Sequence, residues 1–150
     1  MDRRVESYIM DRIRREGAIH MTLLDPEKTG SKNSAIIARE AEEAGTASIM
    51  VGGSTLASTT ELDEAVKKIK ESVRVPVILF PNNISGVSPF ADAIWFMSLL
   101  NSSNTYYLID AQALAAPLIR KYGLEPIPMG YIIVGEGGAA GFIGQARTIA

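Results

Sequence analysis

The sequence predicts an α/β fold in which a parallel β-sheet is covered by helices. Short, nearly continuous apolar runs alternate with amphipathic stretches along the first half of the chain. Strands with continuous rather than alternating apolar residues are typical of sheets buried on both faces. Gly, Pro or Asn follows most of these runs, as expected for the turns between elements. The order β-α-β-α-β therefore indicates a parallel sheet.

Five apolar runs are predicted as strands. The first ends at Asp25-Pro26, because proline has no amide N–H and biases the residue before it toward an extended backbone. The run 91–100 is apolar throughout, so its periodicity fits strand and helix equally; the polar residues 101–104 that end it favour a strand. The predicted strands are residues 18–24, 47–51, 75–80, 93–99 and 126–134.

Four amphipathic stretches are predicted as helices, namely residues 5–15, 33–44, 59–72 and 106–122. Segment 84–89 is too short for a crossover helix. Segment 135–144 contains five glycines and is predicted to be a mobile loop.

An open doubly wound sheet and a barrel both fit this order of strands and helices. A complete barrel has about 250 residues, so residues 1–150 would form a single domain holding about the first five strands.

The composition narrows the function classes. The chain has 15 Lys and Arg against 17 Asp and Glu, which argues against a nucleic-acid-binding protein. It has no Cys and one His, so a metal site would use oxygen ligands, which suits Mg²⁺. The N-terminus lacks a signal-peptide pattern and no apolar run is long enough to cross a bilayer. These observations predict a cytoplasmic protein.

Polar residues follow the first three strands, where a parallel sheet binds its ligands. Asp25 follows the first strand, and Gly52-Gly53-Ser54-Thr55 follows the second. Consecutive glycines let backbone N–H groups approach an anion. A cation between that anion and Asp25 would remove their repulsion. Asp25 with the hydroxyl of Ser54 or Thr55 is therefore a candidate Mg²⁺ site, and Lys28 a candidate phosphate ligand.

Each of these signals also has a plainer interpretation. Asp-Pro and Gly-Gly pairs are often only turns, as are Asn82 and Asn83. We expect His20 to be a hydrogen-bonded core histidine, and residues 95–97 to be packing residues.

Five segments, in this order, resemble the geranylgeranylglyceryl phosphate synthases and their bacterial heptaprenylglyceryl phosphate relatives. They are MTLLDPEK (21–28), IMVGGS (49–54), LFPNN (79–83), FMSLLNS (96–102) and IPMGY (127–131). The resemblance covers nearly the whole chain, and its archaeal branch is the more similar one.

The resemblance implies a (β/α)8 TIM barrel modified at the third helix. It implies Mg²⁺-dependent transfer of a prenyl group from geranylgeranyl diphosphate to the 3-hydroxyl of sn-glycerol 1-phosphate. Asp25 and Ser54 then correspond to the Mg²⁺ ligands, and the catalytic and acceptor-site residues are expected beyond Ala150. The apolar residues 95–100 and 114–119 are candidates for the wall of the prenyl groove.

Two alternatives remain open from the sequence. One is a non-catalytic half-barrel that binds phosphate or a partner chain through its exposed sheet edges. The other is a TIM-barrel enzyme that acts on other phosphorylated metabolites. The open edges also predict a homo-oligomer, and a lipid product would imply transient membrane contact.

Overall fold

A five-stranded parallel sheet forms the centre of the computed structural model, which describes residues 3–52, 59–135 and 137–149. The strands lie side by side in sequence order, β1-β2-β3-β4-β5, and each neighbouring pair is parallel. All carboxyl ends therefore lie at one edge of the sheet. The strands are β1 (Met21–Leu24), β2 (Ser48–Gly52), β3 (Val77–Phe80), β4 (Ala93–Leu99) and β5 (Glu125–Tyr131).

The four predicted helices are found close to their predicted positions. The observed helices are α1 (Arg4–Glu16), α2 (Pro26–Thr29), α3 (Ser31–Glu43), α4 (Thr59–Ser72), α5 (Ala111–Tyr122) and α6 (Gly138–Ile143). The short helix α2 was not predicted. A π-helical turn, Tyr106–Asp110, precedes α5, so the helix predicted over 106–122 changes its hydrogen-bonding register. One 3₁₀ turn, Ile84–Gly86, stands between β3 and β4, as the short 84–89 segment predicts.

Three predicted strands are longer than the observed ones. The first begins at Met21 and not at residue 18, and the third begins at Val77 and not at residue 75. The fifth ends at Tyr131 and not at residue 134. In each case the apolar run continues past the residues that pair with a neighbouring strand, and apolar patterning alone does not mark where pairing stops.

Two apolar clusters hold the layers together. The larger joins one face of the sheet to the helices through fully buried residues such as Val51, Leu62, Val66, Ile69 and Leu79. The smaller joins Val5 and Ile9 of α1 to Ile78, Ala93 and Ile127. Alternate residues of a strand point to opposite faces, and Ile78 and Leu79 accordingly belong to different clusters. Helix α1 thereby covers the second face of the sheet.

The prediction of a mobile loop at 135–144 was wrong. Residues 138–143 form α6, and the chain around it is bonded to the end of β4. Ser102 Oγ donates to the Gly144 carbonyl at 2.6 Å, and the Asn101 side chain bonds the backbone of Ile133 and Arg147. These long-range bonds order a segment whose glycines alone suggest flexibility.

The prediction of a core histidine was also wrong. His20 is exposed, although its Nδ1 lies 3.2 Å from Thr46 Oγ1. It precedes β1, because that strand begins three residues later than the apolar run suggests. In the part of the chain that the structure describes, no helix has the length and apolar character needed to span a bilayer.

Candidate functional site

Asp25 lies at the carboxyl end of β1, where the chain turns into α2. Its backbone carbonyl accepts hydrogen bonds from the Lys28 N–H at 3.1 Å, the Thr29 N–H at 3.2 Å and Thr29 Oγ1 at 3.0 Å. Pro26 starts α2, a position where its missing N–H costs no helical bond. The turn therefore fixes the backbone that carries the Asp25 carboxylate.

The two oxygens of the Asp25 carboxylate have different surroundings. Oδ2 lies 3.0 Å from Lys28 Nζ. Oδ1 is buried and has no hydrogen-bond partner among the residues that the structure describes. A buried charged oxygen without a partner is costly, because it has lost its water. A cation or a donor at Oδ1 would remove that cost, so this oxygen fits a hard metal ion.

A pair of hydroxyls, on Thr29 and Ser34, supports the Asp25 turn. Thr29 Oγ1 lies 2.5 Å from Ser34 Oγ, and Ser34 Oγ contacts the Gly30 carbonyl at 2.9 Å. Ser34 is fully buried. The pair links the end of α2 to the first turn of α3, so that movement of either helix would disturb Asp25.

Lys28 is the most exposed of the predicted site residues in the described part of the chain. Its side chain is 77% exposed, while that of Asp25 is 21% exposed. A lysine this exposed gains little from its ion pair. The ammonium can therefore leave Asp25 for a phosphate without a large energetic cost, which suits the role predicted for it.

Gly52 is brought beside Asp25 by the strand register. Leu24 pairs with Val51, and Asp25 and Gly52 are the next residues of the two strands. A Cβ at Gly52 would lie 2.5 Å from the Phe80 carbonyl oxygen, so a glycine is required for β2 to pack against β3. The predicted site residues Gly53, Ser54 and Thr55 lie outside the described residues.

Within the ranges that the structure describes, no three His, Cys, Asp or Glu side chains cluster closely enough to hold a metal ion. The predicted site has one carboxylate, a hydroxyl and the oxygens of a bound diphosphate, so it does not need such a cluster. Asp25 is the described member of this donor set.

An apolar cavity opens at the same edge of the sheet as Asp25. It lies beside the 3₁₀ turn between β3 and β4, has a volume of about 50 Å³ and opens to solvent. Its walls come mainly from the segment between β3 and β4, from β4 and from α5, with one residue each from the π turn and β5. The apolar lining residues are Pro81, Ile84, Val87, Ile94, Trp95, Phe96, Met97, Ala111, Ala115 and Ile119.

Several polar side chains also line this cavity, among them Tyr107, Gln112 and Tyr131. Gln112 Nε2 donates to the Met97 carbonyl and to Ser98 Oγ, and its Oε1 is buried with no partner in the described part of the chain. Burial raises the pKa of the Tyr131 phenol, and the nearby Tyr107 raises it further. The phenol of Tyr131 is therefore a neutral hydrogen-bonding group at neutral pH.

The sequence identified part of this lining. Trp95, Phe96, Met97, Ala115 and Ile119 fall within the predicted wall segments. Leu100 and Leu114, at the ends of those segments, are 57% and 60% exposed and do not line this cavity.

Sequence reasoning missed Tyr131, Gln112 and Val87 as lining residues. A tyrosine within a buried apolar strand is the one local signal that could have indicated Tyr131. Gln112 and Val87 reach the cavity only through the packing of α5 against β4, which no local pattern shows.

The comparisons with known proteins agree with this geometry. The PcrB family model matches residues 10–150. The chain is 54% identical over 146 residues to the geranylgeranylglyceryl phosphate synthase of Thermofilum pendens, covering 97% of this chain and 57% of that protein. It is 48% identical over 145 residues to the same-named protein of Methanothrix thermoacetophila, with the same coverage. The chain thus spans less than two thirds of these relatives.

Two solved structures share the fold. One is wild-type GGGPS from Thermoplasma volcanium, with a TM-score of 0.88 and 43% identity over 94% of this chain and 57% of that one. The other is (S)-3-O-geranylgeranylglyceryl phosphate synthase from Thermoplasma acidophilum, solved with its substrate sn-glycerol-1-phosphate. Its TM-score is 0.89 at 43% identity, covering 99% of this chain and 60% of that one. The predicted α/β fold of TIM-barrel type is confirmed, and the chain belongs to the PcrB family.

Proposed function

We propose that this chain supplies the donor half-site of a prenyltransferase. The reaction transfers a geranylgeranyl group from geranylgeranyl diphosphate to the 3-hydroxyl of sn-glycerol 1-phosphate. One observation carries the proposal: an unpartnered, buried carboxylate oxygen of Asp25 and an apolar cavity lie at the same edge of the sheet. A prenyl diphosphate has the matching chemistry, with an anionic head and a hydrocarbon tail.

The head of the donor would be held by the residues at the ends of β1 and β2. Asp25 and Ser54 would hold Mg²⁺, and Lys28 would contact the phosphates directly. When bound, the metal supplies Lewis-acid stabilisation of the diphosphate as the leaving group. Backbone N–H groups after Gly52 and Gly53 would add neutral donors to the same oxygens.

The tail of the donor would enter the apolar cavity and extend out through its open mouth. Burying hydrocarbon there contributes roughly 0.8 kcal/mol per CH₂ group. The lining is rich in aromatic and branched side chains such as Val87, Ile94 and Phe96.

The phenol rings of Tyr107 and Tyr131 lie among these walls, and an aromatic face attracts a positive charge. They suit the allylic carbon on which positive charge develops as the C–O bond breaks.

The acceptor is assigned through the relatives. The Thermoplasma acidophilum protein was solved with sn-glycerol-1-phosphate as its substrate. The relatives from Thermofilum pendens and Methanothrix thermoacetophila are named for the synthesis of geranylgeranylglyceryl phosphate. Further expectations belong to this proposal. They are a cytoplasmic homo-oligomer and transient contact with a membrane, because the product is a lipid.

Turnover tests the proposal most simply. The chain, fused to the part of the Thermofilum pendens relative that it does not cover, is incubated with Mg²⁺, labelled geranylgeranyl diphosphate and sn-glycerol 1-phosphate, and the organic-soluble product is counted. We expect product with this fusion and none with its Asp25→Asn form. Lys28→Met is the matched control and should retain part of the activity, since it removes a phosphate contact and spares the metal ligand.

Other outcomes separate the alternatives. Mg²⁺-dependent binding of the donor without turnover would favour a non-catalytic half-barrel. Turnover of sugar phosphates with no binding of prenyl diphosphates would favour another TIM-barrel enzyme. Full activity in Asp25→Asn would contradict the metal assignment.

A further inference from the structure

Asn101 uses its whole side chain to tie two distant segments to the end of β4. Its Oδ1 accepts from the Ile133 N–H at 3.1 Å, and its Nδ2 donates to the Ile133 carbonyl at 2.8 Å. The second Nδ2 proton goes to the Arg147 carbonyl at 2.8 Å. The partners lie 32 and 46 residues away in sequence. Neither the fold class nor the proposed reaction accounts for this residue.

The Ile133 bonds continue the β4–β5 pairing beyond the last strand residue. Tyr131 ends β5, and its carbonyl accepts from the Leu100 N–H at 2.8 Å. A carboxamide offers one acceptor and two donors, so Asn101 pairs with Ile133 as a backbone peptide group would. The chain is therefore held on both sides of Ile132, immediately after Tyr131.

We propose that Asn101 is a positioning residue for the donor site, acting through Tyr131. By fixing Ile133, it keeps the end of β5 paired with β4 and holds the Tyr131 side chain against the apolar cavity. Without these bonds the strand end would open from Ile133 back to Tyr131. This inference rests on the proposed function in so far as the cavity binds a prenyl group.

Asn101→Asp keeps the shape of the side chain and its Oδ1 acceptor, but removes the two hydrogen bonds that Nδ2 donates. It also places a carboxylate beside the carbonyls of Ile133 and Arg147. Asn101→Ser serves as a second variant that adds no charge, and its hydroxyl has one proton and cannot serve both carbonyls.

Ser102→Ala is the matched control. Ser102 Oγ donates to the Gly144 carbonyl at 2.6 Å, which anchors the end of α6, and makes no bond to Ile133. Its removal should loosen the same long segment at the other end and leave Tyr131 in place. A merely structural role for Asn101 would make the two variants alike.

Two measurements on the full chain decide between these outcomes. The first follows the Tyr131 phenol by NMR with selectively ¹³C-labelled tyrosine, assigned by Tyr131→Phe. We expect Asn101→Ser, which adds no charge, to lower the Tyr131 pKa, because water reaches the phenol, and Ser102→Ala to leave it unchanged. The second follows geranylgeranyl diphosphate binding through the fluorescence of Trp95, the one tryptophan in the sequence and a cavity-lining residue.

For the second measurement, we expect Asn101→Asp to weaken binding by about tenfold, equivalent to the loss of one or two hydrogen bonds. Ser102→Ala should bind as the parent does. Equal effects of Asn101→Asp and Ser102→Ala on binding, or an unchanged Tyr131 pKa in Asn101→Ser, would overturn the positioning role. A parent chain that binds no prenyl diphosphate would overturn the proposed function, while the tyrosine titration would still decide whether Asn101 positions Tyr131.

Discussion

Glu125 caps helix α1 from a position 120 residues further along the chain: its Oε2 accepts from the Val5 N–H at 2.8 Å. Its other oxygen accepts from the Glu6 N–H at 2.9 Å, and the residue is 7% exposed. The first N–H groups of a helix have no partner within the helix, and a carboxylate there also interacts favourably with the helix dipole. Glu125 therefore fixes α1 over the sheet at the start of β5.

Replacing Glu125 should release α1. We expect Glu125→Ala to lower the free energy of unfolding by about 2–3 kcal/mol, because two N–H groups lose a charged acceptor. Glu125→Gln keeps one acceptor and should cost about half as much. Denaturant unfolding at neutral pH measures both. An unchanged stability in Glu125→Ala would show that water caps the helix equally well.

Gly52→Ala tests the close approach of β2 and β3 beside the proposed site. The new methyl would lie 2.5 Å from the Phe80 carbonyl oxygen, so the strands must separate, at a cost of about 1–3 kcal/mol. Gly130→Ala is a control on β5, where the nearest atom is the flexible Leu100 side chain at 3.0 Å. Thermal unfolding should show a clearly larger fall for Gly52→Ala, and equal falls would remove the steric argument.

Ser34→Ala tests the hydroxyl pair beneath Asp25. The change removes the 2.5 Å contact with Thr29 Oγ1 and the bond to the Gly30 carbonyl. We expect a loss of about 1–2 kcal/mol of stability and weaker Mn²⁺ binding, measured by electron paramagnetic resonance. Ser72→Ala, at the end of α4, removes a comparable hydroxyl bond far from Asp25. If both variants bound Mn²⁺ as the parent does, Ser34 would have no part in the metal site.

Tyr131 should make the protein less stable at high pH. Burial raises the pKa of its phenol above the ordinary value of about 10. As the pH rises above that ordinary value, the unfolded chain loses the proton before the folded one does, and unfolding becomes more favourable. The contribution is complete below about pH 10 and is lost as the pH rises through the folded pKa.

Tyr131→Phe should therefore flatten the alkaline fall in stability, as measured by urea unfolding between pH 8 and 11. Tyr122→Phe, on the exposed side of α5, is the control and should follow the parent curve. A parent-like alkaline fall in Tyr131→Phe would assign the fall to another group.

The sequence correctly predicted those elements that depend on residues close together in the chain. The apolar runs of β2 and β4 and the turn at Asp25-Pro26 were found where expected, because continuous burial and proline chemistry act within a few residues. Helix α6 was missed, because its order comes from Asn101 and Ser102 across more than 30 residues of chain. The π turn before α5 was missed for a related reason, since α and π registers share the same apolar pattern.

Some features of the candidate site could also be predicted from the sequence, and others only the folded structure shows. Asp25 and Lys28 were predicted from their place after a strand, and the structure brings Asp25 beside Gly52 through the β1–β2 register. The unpartnered state of Asp25 Oδ1 is a property of the folded turn alone. Tyr131 and Gln112 enter the cavity through tertiary packing, so no spacing rule in the sequence identifies them.

The most direct test of the account is the affinity of the chain for geranylgeranyl diphosphate, read from Trp95 fluorescence with Mg²⁺ and with EDTA. We predict that Mg²⁺ tightens binding by at least about tenfold in the parent chain and has no effect in Asp25→Asn. Inorganic diphosphate should bind more weakly than the prenyl compound, because it leaves the cavity unfilled. Equal affinity with and without Mg²⁺, or a parent-like Mg²⁺ effect in Asp25→Asn, would contradict the assignment of Asp25 as the metal ligand of a prenyl diphosphate site.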